Sequence, residues 1–459
     1  MTDASAEMGS SPVGAVPASF LALTSAEREE MLAAIGVSSV EELFADLPSA
    51  VVLERTLELD PPLSEVELSD HIETLASRNV HTGMELSFLG AGMYDHYVPA
   101  VVDAVLARGE FLTAYTPYQP EMSQGILQAI FEFQTAICEL TGLDVANASG
   151  YDGATVAADA CFMAKHATGR ARVVVGQTVS PQVRQVIRTY ARGFELEVIE
   201  APIREGVLDP HEVGRLAVDA AAVIFQQPNF FGCLEPAPAL AAAAASAGAL
   251  PVAHVDLLSL GLLQAPGDYG CALAIGEGQG AGNRLSYGGP HYGFLAARQD
   301  LVRRMPGRIV GETVDVAGRR AYVLTLQTRE QHIRREKATS NITTNQTLLA
   351  LAGLVYLSWL GPAGLRELGE LCAGLTELAK ATLDVEPLFE QPTFKELAVR
   401  TARPALDVVR DARALGVNPG YPLGRDYEGM DDALLIALTE RRSPEDIERL
   451  SAVLTEVGA

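Results

Sequence analysis

Along the middle of the chain, short apolar runs alternate with longer segments in which apolar residues recur every three to four positions. The runs are rich in Val, Ile and Ala and cover 171–176, 195–200, 221–226, 251–256, 271–276 and 293–298. The helix-like segments between and before them cover 125–142, 152–168, 181–192, 210–219 and 236–248. This alternation predicts a parallel or mixed β-sheet covered by helices.

The two ends of the chain have different patterns from this middle part. Residues 1–23 are rich in Ala, Ser, Gly and Pro and are expected to form a disordered tail. Residues 24–110 predict a helical N-terminal arm, whose first helix begins at Thr24 or Ser25 and ends at Gly36. We expect a large α/β domain over 111–328 and a small C-terminal α+β domain over 329–459.

The small domain is predicted from helical patterns and two β-branched runs. The helices are expected over 329–384, 404–415 and 443–456, the last capped by Ser443, and the strands over 395–401 and 433–440.

Composition and charge narrow the class of protein. Of 459 residues, 48% are hydrophobic and 20% charged, which is typical of a globular enzyme. The formal net charge of −25 and the lack of a basic cluster argue against nucleic acid or an anionic membrane as a partner. Five scattered cysteines without a C-x-x-C pair, and no leader-like or membrane-spanning run, indicate a reduced cytoplasmic setting.

Several common catalytic motifs are missing from the sequence. The run GEGQGAG at 276–282 does not fit G-x-G-x-x-G and is better interpreted as a tight turn than as a dinucleotide site. The chain has no Walker-type phosphate loop, no H-E-x-x-H pair and no G-x-S-x-G elbow. We therefore expect no metal site and neither hydrolytic nor acyl-transfer chemistry.

Three polar loops are candidates for a functional site. In YTPYQPE, two prolines stiffen the backbone around Tyr115, Tyr118 and Gln119, which suits either a site or an aromatic loop packed on its own domain. In GAGMYDHYVP, glycines precede Tyr94 and His96, although His96 could equally be a structural histidine. The segment 146–155 leads into a helix, where an anion site and an ordinary helix cap are both possible.

Longer stretches carry a family resemblance. They include SFLGAGMYDHYVP, YTPYQPEMSQGILQAIFEFQTAICELTGLDVANASGYDGAT, IFQQPNFFG, RLSYGGPHYGFLAAR and VLTLQTREQHIRREKATSNITTNQTLLAL. They resemble subunit 1 of the two-subunit glycine dehydrogenase (decarboxylating), the P-protein of the glycine cleavage system. The likeness extends over about 24–455.

The resemblance implies an α/β fold of the aspartate-aminotransferase-like type, the type I fold of pyridoxal-phosphate enzymes. In that fold a lysine that binds the cofactor follows the strand bearing the aspartate that pairs with the pyridine ring, here Asp256. The lysines of this chain are at 165, 337, 380 and 395, and Gln279 and Gly280 stand where the cofactor lysine is expected. An amide cannot form an imine. Lys337 is interpreted as a surface or phosphate-steering cation.

The resemblance also implies partners. A homologous subunit 2 is expected to carry the lysine and pyridoxal phosphate in an α2β2 assembly that decarboxylates glycine and passes the aminomethyl group to lipoylated H-protein. We expect this chain to line the partner's pocket with Tyr94, His96, Tyr115, Tyr118 and Gln119. Asp256 and Asn229 are expected to be vestigial cofactor-pocket residues.

Two rival functions remain open at this stage. One is a scaffold without catalytic residues, and the other is an autonomous pyridoxal-phosphate enzyme that uses Lys337.

Overall fold

The computed structural model describes residues 22–53, 55, 57–338 and 340–459. Most of the expected N-terminal tail therefore lies outside the described residues. The chain divides into two compact units, one ending at Asn79 and the other covering Val80–Ala459.

The N-terminal unit contains two helices, α1 (Ser25–Ile35) and α2 (Glu65–Ala76). The Thr24 hydroxyl accepts the Glu27 N–H while the Glu27 carboxylate accepts the Thr24 N–H, and Gly36 ends α1 with a φ of 91°. The predicted start and end of this helix are thus confirmed. Among the described residues of this unit, none is buried.

The second unit contains the other helices and all the strands of the described chain. Its helices are α3 (Ala100–Leu106), α4 (Gly109–Leu112), α5 (Gln124–Thr141), α6 (Gly153–Thr168), α7 (Pro181–Gly193), α8 (Pro210–Leu216), α9 (Ala237–Ser246), α10 (Gln331–Arg334), α11 (Thr347–Thr382), α12 (Ala405–Ala414) and α13 (Pro444–Glu456). Its strands are β1 (Leu86–Ser87), β2 (Val145–Ala146), β3 (Arg172–Gly176), β4 (Glu197–Ala201), β5 (Ile203–Arg204), β6 (Val207–Leu208), β7 (Ala220–Gln227), β8 (Leu250–Val255), β9 (Leu273–Glu277), β10 (Gly293–Ala297), β11 (Ile309–Val314), β12 (Arg320–Thr325), β13 (Glu396–Arg400), β14 (Val417–Asn418), β15 (Tyr421–Pro422) and β16 (Ala433–Ala437).

A seven-stranded mixed sheet forms the centre of this unit, in the order β2-β10-β9-β8-β7-β3-β4. Strands β9, β8, β7, β3 and β4 run parallel, and β10 is antiparallel to both of its neighbours. The parallel strands therefore end at one edge of the sheet, where ligands bind in open α/β folds.

Both faces of the sheet are buried. Side chains alternate along β3, so that Val174 belongs to the core cluster that includes α5, α8, α9 and α11, whereas Val173 and Val175 belong to the cluster that includes α6 and α7. Burial on both faces explains why the strands appear in the sequence as continuous apolar runs.

A smaller three-stranded antiparallel sheet, in the order β13-β16-β15, lies in the C-terminal part. It packs with α12, α13 and the end of α11. The short strand β1 pairs in parallel with β14, so the segment after β1 starts beside this small sheet.

The predicted helices and strands of the middle part are confirmed, but two details differ. The antiparallel hairpin β11–β12 was not predicted. The helices expected over 329–384 are observed as the short α10 and the long α11, but residues 340–346 between them are not helical. Within α11, Gly361 has a non-helical backbone (φ 60°, ψ −176°) before Pro362 and kinks the helix.

By length and composition alone, α11 could cross a membrane, and in the described part of the chain it is the one such helix. However, Ala350, Leu354 and Leu357 of its first half belong to the main core. Burial within the protein accounts for part of its apolar character.

Candidate active site

A pocket lies at the carboxyl ends of β7, β8 and β9. Asn229, Asp256 and Gly280 line it from the loops that follow these strands, and Lys395 enters it from the position just before β13. Its volume is about 50 Å³. This is room for a few water molecules and far below the roughly 300–1,000 Å³ of a typical ligand pocket.

The ammonium group of Lys395 is the central charge of this pocket. Its Nζ lies 2.5 Å from Asp256 Oδ2, 3.1 Å from His96 Nε2 and 3.5 Å from the centre of the Tyr94 ring. The side chain is only 4% exposed. Burial would raise the pKa of the Asp256 carboxyl, but the charge and hydrogen bond of Lys395 outweigh this effect and hold that pKa below its usual value.

His96 links the ammonium to Glu440. Because an ammonium can only donate, His96 Nε2 accepts from Lys395 and the Nδ1–H donates to Glu440 at 2.7 Å. Burial would raise the pKa of Glu440, yet the bond from His96 helps to hold it below its usual value. Cys372 lies close to this pair, but both ring nitrogens are already used, which leaves His96 no lone pair for a metal ion.

Tyr94 is held by two other side chains. Its hydroxyl donates to Glu396 at 2.8 Å, and its backbone N–H and C=O bind the Oε1 and Nε2 of Gln279 at 2.8 and 3.0 Å. Gln279 also donates to the Asn283 carbonyl and is 2% exposed. Gln279 stands where a cofactor lysine was expected, and here it binds the backbone of the segment after β1.

Glu277, at the end of β9, occupies the N-terminus of α6. Its carboxylate accepts the N–H of Gly153 at 2.8 Å and of Gln279 at 2.9 Å, and lies 2.8 Å from His291 Nδ1. The contact with the Glu277 carboxylate raises the pKa of His291. Asp152 caps the same helix by accepting the Thr155 N–H. Of the two possibilities for the segment 146–155, the helix cap is the one observed.

Asn229 is fully engaged within the loop after β7. Its Nδ2 donates to the Gly206 carbonyl and to Glu235, and its Oδ1 accepts the N–H groups of Phe231 and Cys233. Together these bonds occupy both polar atoms of the Asn229 side chain, so neither is available to a ligand.

The remaining predicted site residues, Tyr115, Tyr118 and Gln119, lie on an exposed loop outside the residues that line this pocket. The Tyr118 side chain is 61% exposed, and its ring lies 5.6 Å from the guanidinium carbon of Arg308. Arg308 is itself 3% exposed and donates to the Thr344 hydroxyl and the Thr343 carbonyl. A buried cation thus supports the exposed phenol.

The predicted set therefore separates into two groups, and important members were missed. Tyr94, His96 and Asp256 meet around Lys395, whereas the YTPYQPE loop is elsewhere. Lys395, Glu277, Glu396 and Glu440 were not singled out from the sequence. One signal could have found Lys395: it is among only four lysines and directly precedes a buried strand beside Glu396.

Comparison with known proteins places this geometry in a family. The model of the glycine cleavage system P-protein matches residues 18–454. A probable glycine dehydrogenase (decarboxylating) subunit 1 of Moorella thermoacetica is 51% identical over 445 residues, covering 96% of this chain and 100% of the relative. A protein of the same name from Carboxydothermus hydrogenoformans is 49% identical over 432 residues, which cover 93% of this chain and 97% of the relative.

Solved structures agree with these relatives. A crystal structure of glycine decarboxylase (P-protein) of the glycine cleavage system, in inhibitor-bound form, has a TM-score of 0.87 at 44% identity and covers 96% of this chain and 100% of that chain. Cysteine desulfurase from Thermococcus onnurineus has a TM-score of 0.59 at 15% identity, and the match covers 82% of this chain and 95% of that chain. The expected aspartate-aminotransferase-like, type I pyridoxal-phosphate fold is confirmed.

Proposed function

Because this chain belongs to the glycine cleavage system P-protein family, we propose that it is subunit 1 of a glycine decarboxylase and works with a homologous subunit 2. Subunit 2 supplies the lysine and pyridoxal phosphate on which glycine loses carbon dioxide. The aminomethyl group then passes to the lipoyl arm of H-protein. The assembly is proposed to be α2β2.

One observation carries this proposal. The similarity to proteins named subunit 1 extends over nearly the whole of both chains. The name subunit 1 implies a second subunit, and the segment equivalent to the cofactor lysine contains Gln279.

The YTPYQPE loop is proposed as this chain's contribution to the partner's pocket. Tyr115, Tyr118 and Gln119 are exposed, and the buried guanidinium of Arg308 supports the Tyr118 ring from below. Tyr94 and His96 are proposed to position the segment after β1 at the same interface, because their side-chain polar atoms are already bonded within the chain.

The first test is reconstitution. The full chain alone is expected to give no glycine–bicarbonate exchange, and exchange is expected once the homologue with the lysine is added. Turnover by the lone chain would contradict the proposal and favour the autonomous enzyme.

A second test separates an active-site role of the loop from a scaffold role. Removing one positioned hydrogen-bond donor typically lowers a rate on the order of 10²–10³-fold. We expect Tyr118→Phe and Tyr115→Phe to lower exchange in the reconstituted complex while cofactor content and assembly stay unchanged.

The matched control is Tyr421→Phe, which removes a hydroxyl bonded to Asp426 in the small domain. It is expected to leave exchange unchanged. If the loop tyrosines only pack, their variants will instead lose about 0.5–1.5 kcal/mol of unfolding free energy with exchange intact. That result would favour the scaffold.

A further inference from the structure

The pocket at the ends of β7, β8 and β9 contains two charges that the chain itself supplies. We propose that Lys395 and Glu277 fill the two places in which a ligand with a cationic ring nitrogen and a phosphate would be held. The pocket is then closed to pyridoxal phosphate. We call the contacts of Lys395 and Glu277 in this pocket the clasp, because they connect separate parts of the chain. The inference concerns this chain alone and does not depend on the proposed function.

The cationic half of the clasp is complete. An ammonium has three hydrogens, and Lys395 has three acceptors around it: the Asp256 carboxylate, His96 Nε2 and the face of the Tyr94 ring. Asp256 is the acidic group available for a ring nitrogen at the end of β8, and it is already paired. A cationic ring would have to displace the Lys395 ammonium, which would then be left buried without the carboxylate that compensates its charge.

The anionic half is equally complete. The N-terminus of a long helix favours a phosphate because its N–H groups are free and its dipole is positive there. At α6 the Gly153 N–H is bonded to Glu277, and Asp152 caps the helix. A phosphate group would meet two carboxylates at this position.

The residues present therefore do not fit pyridoxal phosphate. The space that remains is about 50 Å³. Lys395 is also a poor candidate for an imine, since an amine nucleophile must lose a proton whereas this one is paired with Asp256 at 2.5 Å.

The clasp joins three parts of the second unit. Lys395 precedes β13 of the small sheet, Asp256 and Glu277 end strands of the central sheet, and Tyr94 and His96 belong to the segment after β1. In a site that binds a cofactor, Asp256 and the N-terminus of α6 would bind the ligand. In this chain they bind Lys395 and Glu277, and these contacts connect the three parts of the second unit.

The cationic half is tested by substitution on the full chain. We expect Lys395→Met, which keeps the length of the stem but removes the charge, to lower the thermal midpoint by about 3–5 °C. Adding Asp256→Asn in the same chain should restore most of that loss, because no unpaired charge then remains. A Lys395→Met chain as stable as the parent would overturn the proposal.

Small ions provide a second, more selective readout. Ethylammonium is expected to raise the midpoint of Lys395→Ala but not of Glu277→Ala, whereas inorganic phosphate should raise that of Glu277→Ala but not of Lys395→Ala. Lys380→Ala is the matched control, since Lys380 pairs with the exposed Glu377 on α11. Equal responses in all three variants would indicate a general salt effect and would overturn the proposal.

The closure to cofactor is tested by labelling. The parent chain, incubated with pyridoxal phosphate and treated with borohydride, is expected to yield no labelled Lys395 peptide and to retain no cofactor on dialysis. A labelled Lys395 would overturn the clasp. If only the reconstitution test fails, the subunit assignment is lost while the clasp stands.

Discussion

At the scale of single residues, Glu396 shows how burial changes the behaviour of a carboxyl group. It is 3% exposed and accepts the Ala91 N–H and the Tyr94 hydroxyl. Burial raises its pKa from 4.5 to about 7, although these bonds and the charge of Lys395 oppose the change. The folded chain thus holds a proton at Glu396 that the unfolded chain releases above about pH 4.5.

This leads to a prediction for stability. The contribution of Glu396 is fully present below pH 4.5 and is lost as the pH rises through 7, because the unfolded chain then binds fewer protons than the folded one. Glu396→Gln should therefore gain about 2–3 kcal/mol of unfolding free energy relative to the parent between pH 5 and pH 8. Denaturant unfolding at both pH values measures this difference.

Two features keep that measurement specific. Asp159, whose pKa burial also raises to about 7, is present in both chains, so its effect cancels in the difference. Glu448→Gln on the exposed side of α13 is the control and should show no such gain. A pH-independent difference for Glu396→Gln would mean that this carboxyl stays charged when buried.

At the scale of elements, the turn after β7 docks directly against β13. Gly232 has a φ of 81°, and a Cβ added there would lie 2.1 Å from the Glu396 carbonyl oxygen. Only a glycine allows this approach, and the strand it touches is the one that Lys395 precedes. The fit of one backbone against another therefore helps to set the geometry of the clasp.

Gly232→Ala is predicted to be far more harmful than Gly169→Ala. Both glycines have positive φ, at 81° and 72°, but a Cβ at Gly169 would meet no atom within 4 Å. The left-handed backbone alone costs about 1–2 kcal/mol, and the clash at Gly232 adds about 1–3 kcal/mol. Unfolding free energies of the two variants decide the matter. Equal losses would show that the turn moves away from β13 without cost.

At the scale of the whole molecule, the N-terminal unit by itself buries little apolar surface. Its exposed apolar side chains include Met31, Ile35, Leu43, Phe44, Val51, Val66 and Ile72. Helices of 11 and 12 residues, the lengths of α1 and α2, are marginal without packing even when well capped. Coverage by the proposed subunit 2 would provide that packing.

Hydrogen–deuterium exchange tests this expectation. Amides of α1 and α2 should exchange quickly in the lone chain and at least about tenfold more slowly once subunit 2 is bound, because association removes locally open states. Helix α6, most of whose residues are buried, is the internal control and should not change. Unchanged exchange in α1 and α2 would show that subunit 2 does not cover them.

Local signals in the sequence determined the elements and the fold class. The capping boxes of α1 and α13 and the apolar periods of the sheet and its helices depend on residues within a few positions of one another, so the sequence displays them directly. The family motifs likewise lie in continuous stretches. The position of Asp256 at the end of a buried strand could be predicted on the same basis.

Only the tertiary structure decided what surrounds Asp256. Lys395 meets His96 across 299 positions and His96 meets Glu440 across 344, distances over which no periodic pattern specifies a pairing. Packing of the small sheet against the central sheet brings these charges together. Once buried there, each must find a partner, because an unpaired charge away from water is too costly. Asp256 is therefore paired with Lys395, a residue that the sequence pattern had not assigned to this pocket.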